Sequence, residues 1–140
     1  MTTTLNALKP ALYMVPTRGA HEVPLLRGGR CVCGHRFFPM QRYGCERCGR
    51  NGDALEEALL TGHGTLVASA RVKLHAGPER KAPFVIVSVK LDQGPVLRTL
   101  LAEDTEEILP IGQSMSACLV EIGKTDNGEP MVDLRFARSR

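Results

Sequence analysis

The chain has 140 residues, 43% of them hydrophobic and 24% charged, with a formal net charge of +3. That length holds one ordinary domain, or a small stapled module beside a larger one. The longest apolar run, Pro83 to Val89, is far too short to cross a membrane, and neither a repeat nor a low-complexity segment is present.

In chain order, residues 1–24 form an N-terminal extension. Its start, MTTTLNALKPALYMVP, lacks the basic-then-apolar layout of a secretory signal, so a cytoplasmic location is expected. Leu5, Leu8, Leu12, Tyr13 and Met14, followed by Pro16 and Pro24, read as a partly helical extension seeking a groove on a partner.

Residues 25–53 carry the strongest signal. Cys31 and Cys33 form C-x-C, Cys45 and Cys48 form C-x-x-C, and each pair is closed by a glycine, Gly34 or Gly49. Thiolates on two such turns can converge on one tetrahedral ion, and a residue with positive φ after the second sulfur lets the chain curl so that N–H groups face the thiolates. A structural Zn2+ is expected on Cys31, Cys33, Cys45 and Cys48, with a rubredoxin-like iron as the other ion. The first pair is one residue shorter than the usual knuckle, which leaves His35 as an alternative to Cys31. Disulfides fit poorly, because a fifth thiol, Cys118, is left over and no secretory signal is seen. A thioredoxin-type redox pair would need a βαβ pattern that the sequence lacks.

Charge divides unevenly between the two ends. Residues 1–53 hold eight Lys or Arg against three acids, and residues 54–140 hold ten against twelve. The basic end either faces something anionic or is an ordinary solvated face.

Residues 54–140 alternate like strands. Thr65 to Leu74 places Leu66, Ala68, Ala70, Val72 and Leu74 on one side. Phe84 to Leu91 places Val85, Val87, Val89 and Leu91 on one face, and the turn Asp92-Gln93-Gly94-Pro95 leads to a partner from Val96 to Glu103. The capping-box pattern from Asp104 to Glu107 predicts a short helical turn. Ser114 to Ile122 and Met131 to Phe136 follow as strands joined at Thr125 to Gly128. Residues 54–62 read equally as a short capped helix or as a strand leading into the barrel. The expected fold is all-β: a small zinc ribbon followed by a five-stranded OB-fold barrel.

No Ser-His-Asp set, carboxylate pair or phosphate-binding glycine loop is seen. Cys118 lies mid-strand with Val120 and Ile122 on its face and reads as an inert core thiol. His63 sits between Gly62 and Gly64, whose pattern points to a bend or a close backbone approach.

With ribbon and barrel both in view, the chain resembles a family of small proteins in which a rubredoxin-like zinc ribbon precedes an OB-fold, and which accompany thiolases and related acyl-CoA enzymes. The residues carrying it are LLRGGRCVCGHRFFP at 25–39, CERCG at 45–49, Pro83, Gly94, Ile111-Gly112 and Phe136. The likeness spans roughly residues 24 to 137, and includes small subunits of the benzoylsuccinyl-CoA thiolase type. It departs from the family at the short Cys31-Val-Cys33 knuckle and at Met40, where a second proline is common.

The resemblance implies a non-catalytic accessory subunit that docks on a thiolase-fold catalytic chain as a hetero-oligomer acting on a bulky or aromatic acyl-CoA. It also implies help in binding coenzyme A or acyl-CoA, for which Arg80 and Lys81, on the loop from His75 to Pro83, are the local candidates, the alternative being a solvated hairpin tip. Of the Phe37-Phe38 pair, one residue is expected to cover the ribbon's own small core and the other to supply an aromatic anchor for the partner. Nucleic-acid binding is the reading of a different class. It is disfavoured because only Phe84 and Phe136 lie in the barrel, whose charge is negative.

Overall fold

A computed structural model describes residues 4–16, 22–77 and 81–139, which form two sheets. The smaller sheet holds β2 (Leu26–Cys31), β3 (Arg36–Phe37) and β4 (Leu55–Leu60), in the order β3-β2-β4 with antiparallel pairing. The larger combines β1 (Asn6–Ala7) with β5 (His63–Val72), β6 (Phe84–Leu91), β7 (Val96–Leu100), β8 (Ser114–Lys124) and β9 (Pro130–Arg138). Its order is β1-β9-β8-β5-β6-β7. A parallel bridge from Leu101 to Phe136, with the Ala102 N–H donating to the Phe136 carbonyl at 2.8 Å, brings the end of β7 onto β9. Closure of β5 to β9 in this way gives a small, partly open barrel, the architecture expected of an OB-fold.

Alternation explains the barrel wall. Val85, Val87, Val89 and Leu91 of β6 point inward against Leu97, Met115, Ala117, Leu119, Val132, Leu134 and Phe136. Strand β5 obeys the same rule only as far as Leu66, which pairs with Val89. A bulge then lets Ala68 pair with Ser88, so the strand changes faces at Val67. Ala68 and Ala70, expected inside, are exposed. The glycines flanking His63 mark close approaches: a Cβ on Gly64 would lie 2.3 Å from the Lys90 carbonyl oxygen, and one on Gly62 2.7 Å from that of Pro24.

Two expectations need correction, and one left open is decided. The N-terminal extension is not helical among the described residues. It lays β1 parallel to β9, with Leu8 N–H donating to Val132, and then runs beside β2, where Tyr13 bridges Leu26. Tyr13, only 2% exposed, donates its hydroxyl to Val132 O or Asp133 Oδ1, each 3.0 Å away, so it serves this chain's own core and not a partner's groove. The helical turn expected at Asp104 to Glu107 does not form either. Asp104 instead accepts two hydrogen bonds from Arg71, at 2.7 and 3.0 Å, and that guanidinium holds its carboxyl below the usual range. Residues 55–60 take the strand alternative, but pair with β2 and not with the barrel sheet.

Two cores result. Leu26 and Leu60, at one end of the small sheet, join the barrel cluster, whereas Cys31, Phe37, Cys45 and Leu55 form their own at the other end.

Candidate metal centre

Cys31 closes β2, Cys33 lies in the turn before β3, and Cys45 and Cys48 sit on the next turn. The turns are built alike. Gly34 N–H donates to Cys31 O at 2.8 Å and Gly49 N–H to Cys45 O at 2.8 Å, with φ of 96° and 82° at the two glycines. That left-handed backbone is strained for any side chain.

The four sulfurs lie within 4.8 Å of one another. Cys31 and Cys48 Sγ are 3.5 Å apart, and Cys33 and Cys45 Sγ 3.8 Å. A tetrahedral ion with Zn–S bonds of about 2.3 Å needs sulfurs roughly 3.8 Å apart, so the cluster fits one. A disulfide needs about 2.05 Å, and all five cysteines are free. The short knuckle therefore still delivers both of its thiols. His35 lies outside the cluster, its Nε2 2.8 Å from Glu46 Oε1.

The electrostatics favour bound thiolate on the outer side. Cys48 is lowered to about 6, first by the Arg50 backbone N–H, working against burial, with help from the Arg50 guanidinium. Burial opposes the Cys45 thiolate, yet the N–H groups of Cys48 and Arg47 outweigh it, the latter 3.4 Å from Sγ. At Cys31 the Cys33 N–H lowers the pKa, but burial and hydrogen bonds with the other three thiols push it up to about 11. Without an ion the inner thiol thus keeps its proton, which a metal would have to displace.

Elsewhere the described residues hold no catalytic constellation. Cys118 is half-buried on the opposite side of β8 from inward Met115, Ala117 and Leu119, which corrects its expected place in the core. Burial pushes its thiol up, with Arg135 opposing. His63 Nδ1 is 3.2 Å from the Ser116 hydroxyl, and no carboxylate among the described residues bonds its ring. Phe37 is buried under the cysteines and covers the ribbon's own core, as expected of one of the pair, while Phe38, expected as the exposed anchor, is partly buried against the barrel core. Lys81 is exposed, and Arg80 lies outside the described residues. Nothing in the sequence singled out Arg27, whose Nε is buried without a hydrogen-bond partner among the described residues.

No protein-family model matches the chain. It is similar to a DUF35 domain-containing scaffold protein. That protein, from Methanocaldococcus jannaschii, is 28% identical over 129 residues, which cover 89% of this chain and 88% of the relative. Among solved structures, the Ltp2-ChsH2(DUF35) aldolase superposes with a TM-score of 0.60 over 79% of this chain and 84% of its own, at 21% identity. The second likeness is one of fold. No helix of the described residues is long and apolar enough to cross a membrane.

Proposed function

We propose that this chain is a non-catalytic accessory subunit of a thiolase-type acyl-CoA enzyme. A zinc ion on Cys31, Cys33, Cys45 and Cys48 stiffens the ribbon, and the chain docks on the catalytic subunit in the cytoplasm. The observation that carries the reading is the likeness, along nearly the whole of both chains, to a protein named as a scaffold. The four cysteine sulfurs gathered within 4.8 Å of one another support the structural metal that such a scaffold would carry. The solved structure of similar fold is named the Ltp2-ChsH2(DUF35) aldolase, which is the kind of association proposed. Arg80 and Lys81 are the proposed contacts to the phosphates of coenzyme A, and a bulky or aromatic acyl-CoA is the proposed substrate of the complex.

The site residues would hold zinc as an all-thiolate tetrahedron. The ion's part is structural: it ties the two turns together where the apolar core is too small to do so. Affinity purification of the chain from its native cells, with metal analysis of the eluate, tests the reading. One zinc per chain and a co-purifying thiolase-fold protein are expected; a monomer that retains no acyl-CoA enzyme overturns it. Replacing Arg80 and Lys81 with alanine should weaken acyl-CoA binding by the complex, and an unchanged affinity removes them from the site.

Nucleic-acid binding is not favoured. Phe136, one of the barrel's two aromatic residues, is fully buried and offers no face for a base to stack on.

A further inference from the structure

Strand β4 has one side paired and the other open. In β2, Arg27 N–H donates to Leu12 O and Cys31 N–H to His35 O, each at 2.8 Å, so the odd positions face away from β4. The even ones, Leu26, Gly28 and Arg30, meet Leu60, Ala58 and Glu56. By the two-residue period, Leu55, Glu57 and Leu59 turn their main-chain groups outward.

Both ends of that outer edge are closed. Leu55 O accepts from the Arg42 guanidinium at 2.5 Å, Leu55 N–H reaches Gly52 O, and Thr61 N–H donates to Gln93 Oε1 at 2.7 Å. Between them, the N–H and C=O groups of Glu57 and Leu59 meet no partner among the described residues. Beside this window lies a cleft of about 360 Å³ lined by Met14, Arg27, Gly28, Glu57, Ala58 and Leu59. One of its lining residues, Arg27, carries a buried Nε that has no hydrogen-bond partner among the described residues.

We propose that the Glu57–Leu59 edge receives an extended segment of the partner enzyme as an added strand. The inference rests on the partnership proposed above and names its contact. Main-chain hydrogen bonds to Glu57 and Leu59 would supply affinity, an apolar side chain would fill the cleft between Met14 and Leu59, and an oxygen of the segment would accept from Arg27. Charge selects the occupant. Glu56 is engaged by Arg30 at 3.5 Å, but Glu57 has no ion pair among the described residues, so the incoming strand carries a basic residue there. A second copy pairing antiparallel through the same two residues would instead set Glu57 opposite Leu59 and place the two Glu57 carboxylates diagonally on one face, a like-charge contact.

The test is amide hydrogen exchange on the complex recovered from native cells, compared with the free chain, alongside two full-length variants. Leu59→Pro deletes an outward N–H at an edge position where proline is tolerated, and Glu57→Lys reverses the charge. Unchanged metal content and unchanged barrel protection show that each variant folds. The expected result is that the Glu57 and Leu59 amides exchange about tenfold or more slowly in the complex, and that both variants retain at least about tenfold less partner. An intact complex in which those amides exchange as in the free chain overturns this inference and leaves the partnership standing. Recovery of no acyl-CoA enzyme overturns both. Protection that grows with the concentration of the chain alone assigns the edge to a second copy and also overturns the proposal.

Discussion

The two ends of this molecule are held together by different chemistry. Around the cysteines, the buried residues are two thiols with Phe37 and Leu55, whereas the barrel buries Leu66, Val87, Val89, Leu91, Met115 and Phe136 to 1% exposure or less. The barrel therefore draws its stability from apolar area removed from water, and the turns draw theirs from what the sulfurs bind. One end should answer to chelators and acid, and the other to cavities.

Removing the ion is the largest perturbation expected. Chelation, or Cys45→Ser, should cost the ribbon on the order of 10 kcal/mol of folding free energy and free the amides of residues 31–50 to exchange, while the β6–β8 amides stay protected. Loss of protection in both regions together would break the comparison. Phe136→Ala should do the reverse, costing about 3–5 kcal/mol in denaturant titrations with the metal content of the folded protein unchanged. Gly64→Ala comes next. Its new methyl would press on the Lys90 carbonyl, for an expected loss of about 1–3 kcal/mol in the barrel alone.

The smallest effects expected concern the strap that Tyr13 fastens. Tyr13→Phe removes the hydroxyl shared by Val132 O and Asp133 and should cost about 1–2 kcal/mol by thermal unfolding. Asp133 adds a pH dependence. Burial works to raise its pKa, but the Arg135 hydrogen bond and charge, the Leu134 N–H and the Tyr13 hydroxyl bring it below the ordinary value. A lowered folded pKa means that the ionised carboxylate favours the fold above about pH 4, and that this contribution disappears as the pH falls through that range and below. Acid unfolding of Asp133→Asn should show a shallower slope there than the parent chain.

Much of this was legible in the sequence because it depends on local spacing. Cysteine pairs closed by Gly34 and Gly49, the alternation of Phe84 to Leu91, and the turns at Gly94 and Gly128 each declare themselves within a few residues. The misreadings came from choices made between distant segments. Ala68 and Ala70 alternate correctly on paper, and only the bulge opposite Ser88 turns them outward. Asp104 has the chemistry of a helix cap but is taken by Arg71, 33 residues away in sequence. Tyr13 reads as a loose apolar residue until Asp133, 120 positions on, is seen beside it. The open side of β4 has no local signature, since it follows from which strand pairs with its other side.

Leu26 and Leu60 have a mechanical consequence. Because these two leucines root one end of the small sheet in the barrel's interior, the cysteine turns are mounted on a stiff lever and not on a hinge. Tension applied at the knuckles by a bound protein would be transmitted along β2 and β4 into the barrel wall, and softening either leucine should slacken that linkage before it unfolds anything.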